Sequence, residues 1–130
     1  MQEVDRLVDE KKYAEAVEFA KEVKIMLERP KDQAEVLALA YDYWGRRLAK
    51  ENKWKEAVDK YKEGLETLPK DDRLVANGLA TVHDWAREYT RNANWGEAAR
   101  IYRLGFDIRP GDGDLEINIK ECNARKAAKK

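Results

Sequence analysis

The stretch "NKWKEAVDKYKEGLETLP", Asn52–Pro69, returns later in the chain as "NANWGEAARIYRLGFDIRP", Asn92–Pro110. Trp54 corresponds to Trp95, Ala57 to Ala98, Tyr61 to Tyr102, Gly64 to Gly105 and Pro69 to Pro110, each pair 41 residues apart. The same interval links Trp44 with Trp85, Asp71 with Asp112, Leu74 with Leu115, and Asn77 with Asn118. Upstream, "YAEAV" at 13–17 precedes "WKEAV" at 54–58 by another 41 positions, so a degraded first copy opens the chain, with Ala20 where the others have Tyr. A fixed period of this size marks a repeat architecture, in which each copy buries its apolar faces by leaning on its neighbour. The copies are expected at about 12–52, 53–93 and 94–130 of a single domain covering residues 1–130.

Within a copy the apolar spacing is helical. Trp54, Ala57, Val58, Tyr61, Leu65 and Leu68 recur at steps of three or four, and Leu74, Leu79, Val82, Trp85 and Tyr89 do much the same. Asp32 with Glu35, and Asn94 with Glu97, read as capping boxes that open helices. "LPKDD" and "RPGDGD" each supply a proline stop, a turn and an Asp N-cap. No alternating strand pattern and no Asn-Gly hairpin signal is present. The reading is an all-α chain of six to seven helices, near 2–10, 12–28, 32–50, 53–68, 72–91, 94–108 and 113–128. Stacked as antiparallel pairs, they predict a right-handed solenoid with all four tryptophans in the core, and any Trp exposed as a ligand platform would be Trp44 or Trp85.

The segments from Trp54 to Pro69 and from Trp95 to Pro110 resemble the second helix of a tetratricopeptide repeat. That family sets an aromatic at the helix start, then Ala, an aromatic four residues on, a small residue, and a closing proline. Small side chains at Ala57, Ala98, Gly64 and Gly105 permit close helix approach, while Tyr61 and Tyr102 fill the gap under the next copy. The family period is about 34 residues. The surplus here falls between Pro69 and Trp95. An insertion of about two turns returns to nearly the same helix face, so the geometry survives as a long-helix variant. The first helix departs from the family signature, reading "RLVANGLATVHDWAREY". A half-a-tetratricopeptide scaffold of RNA-processing complexes is the neighbouring resemblance, through "AARIYRLGF" and "DWAREY".

The totals narrow the function classes. The 26 basic and 26 acidic side chains cancel and are interspersed, so no single-sign field exists of the kind nucleic-acid binders carry. Only the final "RKAAKK" is locally basic, as suits a helix C-terminus. No apolar run approaches the roughly 18 residues that read as a membrane span. A single cysteine, Cys122, excludes an internal disulfide and, with no apolar leader at the N-terminus, gives a cytoplasmic expectation.

Catalytic chemistry finds little purchase. Serine is absent, there is one histidine, and no CxxC, HExxH, P-loop or GxGxxG occurs. His83 and Cys122 could form a thiol–imidazole pair on neighbouring first helices, but a half-buried small thiol and a groove-facing His explain them better. Asp112, Asp114 and Glu116 lack the spacing of a calcium loop and read as a turn with an N-cap. No enzyme, cofactor or metal site is therefore expected.

The resemblance implies instead a concave face built from first helices, where a peptide or helix of a partner protein lies. The family often carries Asn on that face, and Asn77 and Asn118 match it in kind, unless they only tie their helices to neighbours. Projection along the helix adds Arg73, His83, Asp84 and Arg87, and one period earlier Leu39, Tyr43 and Arg46. The expected partner is a protein or peptide, with no nucleic acid and no membrane. A monomer is expected, with end-to-end self-association as the structural alternative.

Overall fold

The computed structural model describes residues 10–21 and 30–128. Among these, every regular element is helical. Helix α1 covers 10–21. It is followed by α2 (Pro30–Lys50), α3 (Trp54–Thr67), α4 (Asp72–Thr90), α5 (Trp95–Leu104), a 3₁₀ turn (Gly105–Asp107) and α6 (Gly113–Ala128). The expected helix near 2–10 and the end of the one near 12–28 lie outside the described residues.

Three of the boundaries follow from side-chain caps. Asp71 accepts from the Leu74 amide at 2.9 Å and Asp112 from the Leu115 amide at 3.0 Å, one period apart. Asn94 accepts from the Glu97 amide at 3.4 Å. The fourth expected cap is corrected: Pro30 is already helical, so Asp32 lies inside α2 rather than before it. Proline's fixed φ suits a first helical turn, and Pro30 serves there instead of as a stop. After Leu104 the α-helix tightens to 3₁₀, and Gly105 O accepts from both Ile108 N and Arg109 N at 2.9 and 3.0 Å before Pro110 ends it.

Consecutive helices from α2 to α6 pack on one another, and α2 also packs on α4. The deepest side chains are Tyr61, Leu37, Leu74, Ile101, Leu115 and Val82. Val17 and Ala20 join α1 to this core, and Lys53 pairs with Glu10 across α1 and the α2–α3 turn.

The period is written into the packing. A Cβ at Gly64 would meet Leu74 at 2.9 Å and Tyr41 at 3.1 Å; one at Gly105 would meet Leu115 at 2.7 Å and Val82 at 3.3 Å. Each atom of that second contact set is 41 positions on from the first. The α2–α3 and α4–α5 joints repeat too, through left-handed Asn52 (φ 62°) and Ala93 (φ 56°). The tryptophans need correction. Trp85 is buried, but Trp44, Trp54 and Trp95 are only half-buried against the core, and Trp54 and Trp95 open onto clefts. Standing at the first position of α3 and α5, each has no preceding helical turn to cover its outer edge.

Candidate functional site

The end of α2 and the middle of α4 enclose a cleft of about 480 Å³. Arg46, Ala49, Lys50 and Asn52 form one wall; Asn77, Ala80, Thr81 and Asp84 form the other. Trp54 and Tyr61 of α3 make the floor. A second cleft of about 310 Å³ lies between the end of α4 and α6. Thr90 and Arg91 face Asn118, Glu121, Cys122 and Arg125 over a floor of Trp95 and Tyr102. All eight residues of the second cleft stand 41 positions beyond residues of the first. The two clefts occupy equivalent positions and share Trp, Tyr and Asn at three of them.

Beneath the first cleft is a buried carboxylate. Asp42 Oδ1 accepts from the Tyr61 hydroxyl at 2.9 Å and from Asn77 Nδ2 at 2.8 Å, and Arg46 Nε stands 3.5 Å from Oδ2. An acid only 3% exposed is tolerable because these donors satisfy it. Burial, then the hydrogen bond to Asp42, raises the Tyr61 phenol far above its ordinary range, while Arg46 opposes the shift.

Under the second cleft Trp, Tyr and Asn are kept at their positions, while the acid and several lining residues change. Tyr102 takes the place of Tyr61, Arg87 that of Arg46, and Cys122 that of Thr81, but position 42 becomes His83. The His83 ring meets Tyr102 edge-on at 5.5 Å between centroids. Tyr102 is also raised, by burial and then by Cys122, with Arg87 opposing. Neither the Tyr102 hydroxyl nor the Asn118 amide has a hydrogen-bond partner among the described residues. Burial and Glu121 push the Cys122 thiol up, away from the thiolate that nucleophilic chemistry needs. His83 pairs with Tyr102 and not with Cys122.

The expected face residues fall out as follows. Arg46, Asn77 and Asp84 meet at the first cleft, and Asn118 lines the second. Asn77 ties α4 to α2 through Asp42, the structural alternative for it. Arg73 pairs with Glu35 at 2.9 Å, and Arg87 with Asp84 at 3.6 Å. Tyr43 is exposed, with Arg46 4.9 Å above its ring, and Leu39 is half-buried. Sequence reading missed Asp42, Trp54, Tyr61, Trp95 and Tyr102 as site residues. The signal for Asp42 was its mismatch with His83 beside the matched pairs Trp44/Trp85 and Arg46/Arg87. The N-cap role of Asp112 leaves it bound to the chain itself, and no cluster of three or more His, Cys, Asp or Glu side chains among the described residues suits a metal ion. No described helix is long and apolar enough to cross a membrane. Comparison with models of known families, with curated proteins and with solved structures finds no match to this chain.

Proposed function

We propose that the chain is a right-handed solenoid of tetratricopeptide-like helical pairs that acts as a non-enzymatic scaffold, laying an extended segment of a partner protein across α2, α4 and α6. The observation that carries this reading is the duplicated cleft. Equivalent clefts one repeat apart suit a ligand that is itself periodic, and an extended polypeptide is such a ligand. Two of the three large apolar side chains exposed among the described residues, Tyr43 and Ile117, stand on these helices. Ile117 precedes Glu121 by one helical turn, so both belong to the same side of α6.

Phe19, the third exposed apolar side chain, favours a competing reading in which copies stack end to end through α1. The opposite end argues against it. Where α4 carries Val75, Leu79, Val82 and Trp85, the equivalent positions of α6 carry Glu116, Lys120, Asn123 and Lys126. Three charged residues and an amide there give a second copy no apolar seat.

Selection of binders from a random peptide display library tests the reading, with the selected peptides mapped by amide chemical shifts. Shifts concentrated at Arg46, Ala80, Asn118 and Glu121 are expected. Shifts confined to other surfaces, or a library that yields no binder, would overturn it. Sedimentation across a hundredfold concentration range decides the competitor, for which the mass must grow.

A further inference from the structure

The first repeat shows what its cleft floor is built to hold. The Tyr61 hydroxyl and the Asn77 amide converge on one carboxylate, Asp42, at 2.9 and 2.8 Å. In the next repeat the same two donors recur as Tyr102 and Asn118, but the chain supplies His83 in place of the acid. Tyr102 is only 8% exposed, lines the cleft, and has no partner for its hydroxyl among the described residues. That hydroxyl opens on the cleft, so it takes its partner from whatever enters, water or a ligand.

We propose that the second cleft receives a carboxylate side chain from the partner segment, held by the Tyr102 hydroxyl and the Asn118 amide as Asp42 is held by Tyr61 and Asn77. This deepens the groove reading and rests on it for the source of the acid. Three cations also stand around the site, Arg87 paired with Asp84 at 3.6 Å, Arg91 with Glu88 at 4.0 Å and Arg125 with Glu121. Arg87 acts electrostatically on the Tyr102 phenol, as Arg46 does on Tyr61. Arg91 and Arg125 line the cleft, with Arg125 5.0 Å over the Trp95 ring. Glu121 is the one opposing carboxylate in the lining, and Arg125 Nε bonds it at 2.7 Å. The source is a side chain rather than a chain terminus for two reasons. The internal precedent is itself a side chain, and a segment that crosses all three helices continues past this cleft.

Three blocked probes, titrated at constant ionic strength and followed on the Asn118 side-chain amide and the Trp95 indole, test it. Acetyl-Gly-Glu-Gly-amide presents the side-chain acid, its Gln analogue the neutral control, and N-acetylglycine a terminal carboxylate. The Glu probe is expected to give saturable shifts at Asn118 and none at Asn77, and to bind at least fivefold more tightly than the Gln probe. Tyr102→Phe and Asn118→Ala should each weaken it threefold or more. His83→Asp, which writes the first repeat's acid into the second, should weaken it at least tenfold. Equal binding of Glu and Gln probes, indifference to Tyr102→Phe and Asn118→Ala, or tighter binding of N-acetylglycine would each overturn the inference. Its failure is separable from that of the groove. Display-selected peptides that map to the face while the Glu probe does not bind sink only the carboxylate site. A bound Glu probe with no selected peptides sinks the groove.

Discussion

Tyr61→Phe and Tyr102→Phe remove the same oxygen from equivalent positions and should have very different effects. The Tyr61 hydroxyl donates to a carboxylate that is 3% exposed, while the Tyr102 hydroxyl has no partner among the described residues. A hydrogen bond to a charged group contributes about 1.5–3 kcal/mol. After Tyr61→Phe, Asp42 keeps Asn77 and Arg46, so the acid is not orphaned and the loss should settle near 2 kcal/mol. Tyr102→Phe should stay within about 0.5 kcal/mol of wild type. With a urea slope of about 1.5 kcal/mol/M, the first variant moves the unfolding midpoint down by roughly 1.3 M and the second by less than about 0.4 M. Urea titrations followed by tryptophan fluorescence and by far-ultraviolet circular dichroism measure both midpoints and check that the slope is unchanged. A cycle with Asp42→Asn should return a Tyr61–Asp42 coupling of about 1 kcal/mol or more. Equal midpoint shifts for the two Phe variants, or zero coupling, would refute the view that the buried acid is what sets the two tyrosines apart.

Gly45→Ala should destabilise the fold by about 1–3 kcal/mol, since overpacking outweighs the helix propensity gained. The new methyl would overlap Tyr61 ring atoms, and that ring is pinned by Asp42. Gly96→Ala meets only the Lys126 side chain, at 3.3 Å, and should be neutral or stabilising by up to about 1 kcal/mol in the same urea assay. The raised Tyr61 phenol sets an alkaline limit. Above the ordinary phenol value of about 10 the unfolded chain loses this proton while the fold keeps it, so stability, intact below that pH, falls as pH climbs further. Tyr61→Phe should flatten the fall, and a slope unchanged by the substitution would count against the assignment. Cys122, buried and protonated at neutral pH, should react with iodoacetamide at least a hundredfold more slowly in the folded than in the urea-unfolded chain.

The helices were legible in the sequence because their ends carry chemistry. Asp71, Asn94 and Asp112 cap as read, and α4 and α6 begin where those caps place them. Asp32 misled because its spacing to Glu35 fits a capping box whether or not the chain is already helical two residues earlier. The close approaches at Gly64 and Gly105 were legible as well, since only a missing side chain recurs at a fixed place on a helix. The buried acid was not. Searching for a period directs attention to positions that match, and Asp42 belongs to the pair that does not. Nor does the aromatic spacing reveal that the Tyr61 hydroxyl needs a buried acceptor while Tyr102 lacks one. Periodicity reports which faces pack, whereas the hydrogen bonds depend on how far a hydroxyl reaches across to α2.

The two left-handed joints carry a lesson for anyone building longer molecules from this chain. Asn tolerates φ near +60° through local hydrogen bonding of its short amide; Ala has no such help, so Ala93 holds the bend at a cost of about 1 kcal/mol. A tandem array templated on the α4–α5 hairpin would multiply that strain at every added unit. One templated on α2–α3, with Asn52 at its elbow, would lengthen without accumulating it.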